Sequence, residues 1–155
     1  MKILFQNKYL LDFLAALMFF TRIPINWQFF SNKPPNLTKA AWCFPLIGSV
    51  IGIISGIFGD ICLFFNLPIF LSCTIAITLS VIITGAFHED GLADMADGFG
   101  AGGSPAKINK IMHDSRLGTY GTVALTLGLL IRLGLVVGLV AVSYTHLTLP
   151  TNREV

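Results

Sequence analysis

The chain has 155 residues, of which 54% are hydrophobic and only 12% charged, with a mean hydropathy of +0.77. Soluble domains carry about 25% charged residues, so lipid rather than water is the expected solvent. The net charge of +2 excludes a nucleic-acid-binding role built on a basic surface.

Residues 1–20 hold an apolar run that Asp12 interrupts, with no small-x-small cleavage pattern before Arg22. This is read as a retained amphipathic or re-entrant segment, not a signal peptide. Residues 23–39 form a polar connector containing Pro24, Pro34 and Pro35. Ala40 to Gly59 is then uncharged and long enough to cross about 30 Å of hydrocarbon as a helix. Gly48, Gly52 and Gly56 fall on one stripe of that helix, and the spacing predicts a close-packed helix interface. A second uncharged run, Ile69 to Phe87, is also read as a span, as is a third, Thr119 to Val142, broken only by Arg132. The fold expected is an all-α polytopic transmembrane bundle with three spans.

Cys43, Cys62 and Cys73 lie in apolar runs without CxxC spacing, so they are read as buried apolar residues rather than zinc ligands or a disulfide. Lys2, Lys8, Arg22, Lys33 and Lys39 precede the first span, and Lys107, Lys110 and Arg116 follow the second, whereas residues 60–68 carry no Lys or Arg. The positive-inside rule then places the N-terminus and residues 88–118 in the cytoplasm and Asp60 outside. Arg132 lies near mid-membrane, where a charge costs about 2.5 kcal/mol or more. It needs a carboxylate or phosphate partner in a deep cavity, or a structural partner elsewhere.

The chemistry concentrates between His88 and Gly121. If residues 88–98 are helical, Asp90, Asp94 and Asp97 stand at i, i+4 and i+7 on one face. Such a stripe repels itself unless it is solvated or shared by a cation. The residues between the acids are Leu92, Ala93, Met95 and Ala96, which favours a cation in a packed bundle over a solvated face. Hard oxygen ligands suit Mg²⁺, Mn²⁺ or Ca²⁺, and Mg²⁺ commonly also binds substrate phosphates. The run Gly98 to Pro105 is read as a glycine-rich loop, equally suited to phosphate or to flexible linkage. Lys107 and Lys110 lie one turn apart, Asp114 offers a further carboxylate, and Arg116 a planar fork for phosphate. Tyr120, between Gly118-Thr119 and Gly121, suits ligand contact or interfacial anchoring. Together these are the parts of metal-assisted phosphoryl or nucleotidyl transfer, with a carboxylate to accept the proton of an attacking hydroxyl.

The run FHEDGLADMADG, followed by IMHDSRLGTYG, resembles the adenosylcobinamide-GDP ribazoletransferase, or cobalamin synthase, family. Phe20-Thr-Arg-Ile-Pro24 and Trp42-Cys-Phe-Pro-Leu-Ile-Gly48 resemble its earlier motifs, so the likeness covers residues 10–140 or so. The resemblance implies a bacterial inner-membrane, multi-pass, Mg²⁺-dependent enzyme with its active site facing the cytoplasm. It would join α-ribazole or its 5′-phosphate to adenosylcobinamide-GDP and release GMP. It implies metal-binding and catalytic roles for Asp90, Asp94, Asp97 and Asp114. Phosphate or substrate binding falls to Arg116, Lys107, Lys110, His88 and Tyr120. Membrane lipid is the surrounding partner, and a homo-oligomer or an association with other cobalamin-assembly enzymes is left open. Two other readings stand beside it. A CDP-alcohol phosphatidyltransferase shares a DxxDG core but continues differently after Asp97-Gly98. An ion transporter more often places its acids inside the spans. The family is longer, so a C-terminally truncated piece is expected: residues 1–142 as the transferase fragment, and 143–155 as a foreign tail resembling translated adapter read-through.

Overall fold

The computed structural model describes residues 7–148, with side chains described to residue 143. Among the described residues the chain is all helical. Helix α1 (Lys8–Phe20) starts where the Asn7 side chain accepts the Tyr9 amide at 3.0 Å. Its 13 residues are too few to cross a bilayer. Two single turns follow, α2 (Trp27–Phe30) and α3 (Leu37–Ala40), the latter capped by the Asn36 side chain on Lys39 N. A 3₁₀ turn at Ala41–Cys43 leads into α4 (Phe44–Phe64), so that Leu37–Phe64 is one apolar rod of 28 residues. The first span is therefore longer than the sequence reading, and Asp60 lies within it.

Small residues let the elements close together. Ala15 and Ala16 of α1 meet Ala40, Cys43, Ile47 and Ile51, with Phe13, Leu17, Phe20 and Phe44 around them. In lipid such contacts stabilise through packing, because leaving the bilayer gains nothing for an apolar side chain. All three cysteines are buried, and the Cys43 thiol donates to Ala40 O at 2.9 Å.

The second predicted span ends earlier than its uncharged run. Helix α5 (Ile69–Thr84) has only 16 residues, and the chain then turns by 84° into α6 (Phe87–Ala101). The elbow is a helix C-cap in which Gly85, at φ +66°, and Ala86, at φ +61°, are left-handed. Gly85 N donates to Ile82 O and Ala86 N to Val81 O, which completes α5 and stops it. Two described helices are thus long and apolar enough to cross a membrane, or three if the bent pair counts as one. Arg22 N donates to Ile83 O at 2.8 Å, and the Arg22 side chain covers the face of Gly85 where a Cβ would stand. Gly85→Ala is expected to cost about 1–2 kcal/mol, from the left-handed backbone and the displaced arginine. Thermal unfolding in micelles checks this. Arg22→Ala should recover part of the loss, and an unchanged Gly85→Ala would contradict it.

Helix α7 (Pro105–Met112) is capped by Ser104, and α8 (Thr119–Thr148) runs back along α6. The third span was expected to stop at Val142; the helix continues to Thr148, and residues 149–155 of the predicted foreign tail lie outside the described residues.

The glycine stripe on α4 is a second correction. A Cβ at Gly48, Gly52 or Gly56 would meet nothing within 4 Å, whereas one at Gly59 would stand 3.2 Å from the Ala76 Cβ. Gly59 is the packing glycine of the α4–α5 pair. The stripe faces open space, because α5 lies on the neighbouring face of α4.

Candidate active site

Helix α6 carries the acids at the expected spacing, with Glu89 and Asp90 in its first turn, where the helix dipole favours negative charge. Tertiary packing separates the three aspartates. Asp90 is exposed, Asp94 half-buried and Asp97 buried. The Asp97 carboxylate accepts Gly118 N at 2.7 Å on Oδ2 and Gly121 N at 2.8 Å on Oδ1. These are orphan donors at the start of α8, so Asp97 caps that helix from a distance of more than twenty residues in sequence. A Cβ at Gly118 or Gly121 would fall on the same carboxylate, which is why both ends of the Gly118-Thr-Tyr-Gly121 run are glycine.

The remaining members are placed as follows. Asp114 is engaged by Arg116 through Nη2 at 2.6 Å and Nε at 3.0 Å, and this hydrogen bonding holds the Asp114 carboxyl below its ordinary value. The Arg116 side chain is otherwise open to solvent. Lys107 and Lys110 are exposed on α7. The Tyr120 ring packs on Gly100, and His88 stacks on Phe20 with centroids 5.9 Å apart. The predicted glycine loop is mostly helix. Gly98 and Gly100 lie in α6, against Met112 and Tyr120 respectively, and only Gly102 and Gly103 form the turn.

The four aspartates therefore do not converge; among the described residues no three His, Cys, Asp or Glu side chains are placed to share a metal. Asp97 and Asp114 have spent their oxygens on backbone amides and a guanidinium. Asp90 and Asp94 have no hydrogen-bond or ion-pair partner among the described residues and stand one turn apart. Mg²⁺ is commonly held by one or two carboxylates plus substrate phosphates. That pair fits Mg²⁺; the full set does not.

Arg132 has the partner its depth demanded. Its Nη1 is 3.2 Å from Glu89 Oε1 and its Nη2 donates to Ser80 Oγ at 2.8 Å, which joins α8, α6 and α5. The sequence reading missed Glu89, and the signal was Arg132 itself, a charge in an apolar helix. The pair stands between two cavities. The larger, about 470 Å³, lies between α4, α5 and α8, and Gly52, Ser55, Ser80, Glu89 and Arg132 are among its walls. The smaller, about 150 Å³, shares His88, Glu89 and Arg132.

The sequence profile of the cobalamin-5-phosphate synthase family matches residues 12–151. The chain is 45% identical over 135 residues to adenosylcobinamide-GDP ribazoletransferase of Xanthobacter autotrophicus, covering 84% of the chain and 50% of that protein. It is 41% identical over 148 residues to the enzyme of that name from Azorhizobium caulinodans, covering 93% and 55%. Against the Shewanella woodyi enzyme of that name the identity is 46% over 121 residues, covering 77% and 46%. The chain thus spans about half the length of the curated relatives it matches. No solved structure matches it.

Proposed function

The chain belongs to the cobalamin-5-phosphate synthase family, and on that premise we propose that the protein joins α-ribazole, or its 5′-phosphate, to the adenosylcobinamide phosphate of adenosylcobinamide-GDP and releases GMP. The observation that carries this reading is the clasp of Asp97 on Gly118 and Gly121. It makes one physical unit of the two motifs, and Asp90 and Asp94 stand on the same helix without a partner among the described residues. The family assignment sets aside the lipid phosphotransferase and the ion carrier.

Asp90 and Asp94 would hold Mg²⁺, which when bound neutralises the diphosphate and the departing phosphate. In the reaction a ribose hydroxyl oxygen bonds to the cobinamide-side phosphorus, the phosphorus–oxygen bond to GMP breaks, and GMP leaves with the electron pair. One of the two carboxylates accepts the hydroxyl proton. Asp97 is a positioning residue that fixes α8 against α6. Arg116, exposed and tied only to Asp114, exchanges that partner for a substrate phosphate. GMP release from adenosylcobinamide-GDP by the purified full-length protein with α-ribazole and Mg²⁺, abolished by EDTA, is the expected result. No GMP, or release indifferent to EDTA, counts against the reading.

The site is placed on the cytoplasmic face of a bacterial inner membrane, a placement motivated by the basic residues around 88–118 and their absence at 60–68. In a cysteine-free background, an impermeant thiol reagent added to intact cells should label Asn66→Cys and not Ser104→Cys. The opposite pattern reverses the orientation.

A further inference from the structure

We propose that the patch where α1 meets the entry to α4, built on Lys8, Tyr9, Lys39 and Trp42, is a docking surface for the headgroups of anionic phospholipids. The proposal does not depend on the transfer reaction. Depth is the first observation. Lys39 and Asp60 bracket the uncharged run of residues 40–59. As a helix at about 1.5 Å per residue that run covers about 30 Å, the thickness of the hydrocarbon. Lys39, and Trp42 one turn after it, therefore stand where the span leaves the acyl chains.

The second observation is how the rings are held. Tyr9 and Trp42 meet edge to face, with centroids 5.7 Å apart. Lys8 directly precedes Tyr9, and Lys39 lies one turn before Trp42, so each ring has a lysine beside it in the chain. Both rings and both lysines are exposed. Trp42 Nε1 donates to Asp12 Oδ2 at 3.2 Å, so the indole spends its one donor inside the protein. A ring held in this way suits the boundary between headgroups and acyl chains, where tyrosine and tryptophan gather.

Charge is the third observation. Between residues 7 and 59 stand four basic side chains, Lys8, Arg22, Lys33 and Lys39, and a single acid, Asp12. Asp12 is buried, with the Trp42 indole on its carboxylate. Arg22 is laid over Gly85, and none of the three lysines has an ion-pair partner among the described residues. The Trp27 ring packs on the core of α1 and its Nε1 donates to Lys33 O at 2.6 Å, which pins the connector that leads Lys33 toward α3. The result is unpaired positive charge at headgroup depth beside exposed rings. A soluble polyanion would meet the charge and leave the rings in water. A zwitterionic headgroup brings its own ammonium, which the lysines repel. An anionic phospholipid meets both features, phosphate against ammonium and acyl chain against ring.

The test reads the fluorescence of the chain's two tryptophans, both of which lie in this segment. The chain is reconstituted in mixed vesicles of phosphatidylglycerol and phosphatidylcholine, with quenching bromine on the acyl chains of one lipid or of the other. Each cation near an anionic surface favours it by about fivefold. Brominated phosphatidylglycerol is therefore expected to quench as though enriched about fivefold or more around the tryptophans, and high salt should lower that enrichment. Lys8→Gln with Lys39→Gln should bring it near parity, whereas Lys8→Arg with Lys39→Arg, which keeps the charge, should preserve it. Lys107→Gln with Lys110→Gln removes the same net charge from α7 and should leave it unchanged. Equal quenching by the two brominated lipids overturns the proposal. So does an equal fall in both glutamine pairs, which would make the effect one of net charge. Loss of the enrichment on adding inorganic phosphate at constant ionic strength overturns it as well, in favour of a site for a free anion.

Discussion

Asp94→Asn is expected to slow GMP release about 100-fold or more in the full-length protein, with insertion and thermal stability unchanged. The side chain is half-buried and bonded to nothing among the described residues, so the amide removes a charge without removing a structural contact. Loss of even an outer partner of a metal ligand costs roughly 10–100-fold, and Asp94 is one of only two anionic ligands proposed. A magnesium titration should show the residual activity moving to higher concentration. Near-parental rates at low magnesium would remove Asp94 from the site.

Asp97→Asn, one turn further along the same helix face, should do the reverse and act first on the fold. The carboxylate accepts two backbone amides, one on each oxygen. Asparagine offers one acceptor and turns two donors toward an amide that needs an acceptor. Hydrogen bonds to a charged group are worth about 1.5–3 kcal/mol each, so a loss of about 2–4 kcal/mol is expected, seen as a lowered unfolding temperature in detergent. If stability is unchanged and only turnover is lost, Asp97 returns to the metal set.

That two aspartates three residues apart divide in this way was not legible in the sequence. Spacing places Asp90, Asp94 and Asp97 on one stripe, and α6 does carry them so. Which of them is buried depends on where α8 docks, a contact between residues far apart in the chain. The demand of Arg132 for a carboxylate was legible, because a lone charge in an apolar helix must be offset. That the partner is Glu89 required the antiparallel register of α6 on α8. The elbow escaped for a local reason. Ile69 to Phe87 reads as one uncharged run, and the turn depends on two successive left-handed residues, one of them an alanine that no propensity marks as a breaker. The glycines of α4 were visible as a stripe, but spacing does not say whether a stripe meets a helix or a void. Family, helical class and apolar rods were legible because they follow from composition and short motifs.

The elbow also fixes a length. Taken as a crossing, α5 covers about 24 Å with its 16 residues at about 1.5 Å each, against a hydrocarbon thickness of about 30 Å. The bilayer beside α5 must therefore thin, or the bend must lie below the surrounding surface, at a cost of a fraction of a kcal/mol per Å. Either adjustment draws the first turn of α6 down to the level of the lipid headgroups. On the reaction proposed above, a water-borne nucleotide descends into a dimple of the membrane to reach those carboxylates, among lipid phosphates that compete for the proposed Mg²⁺.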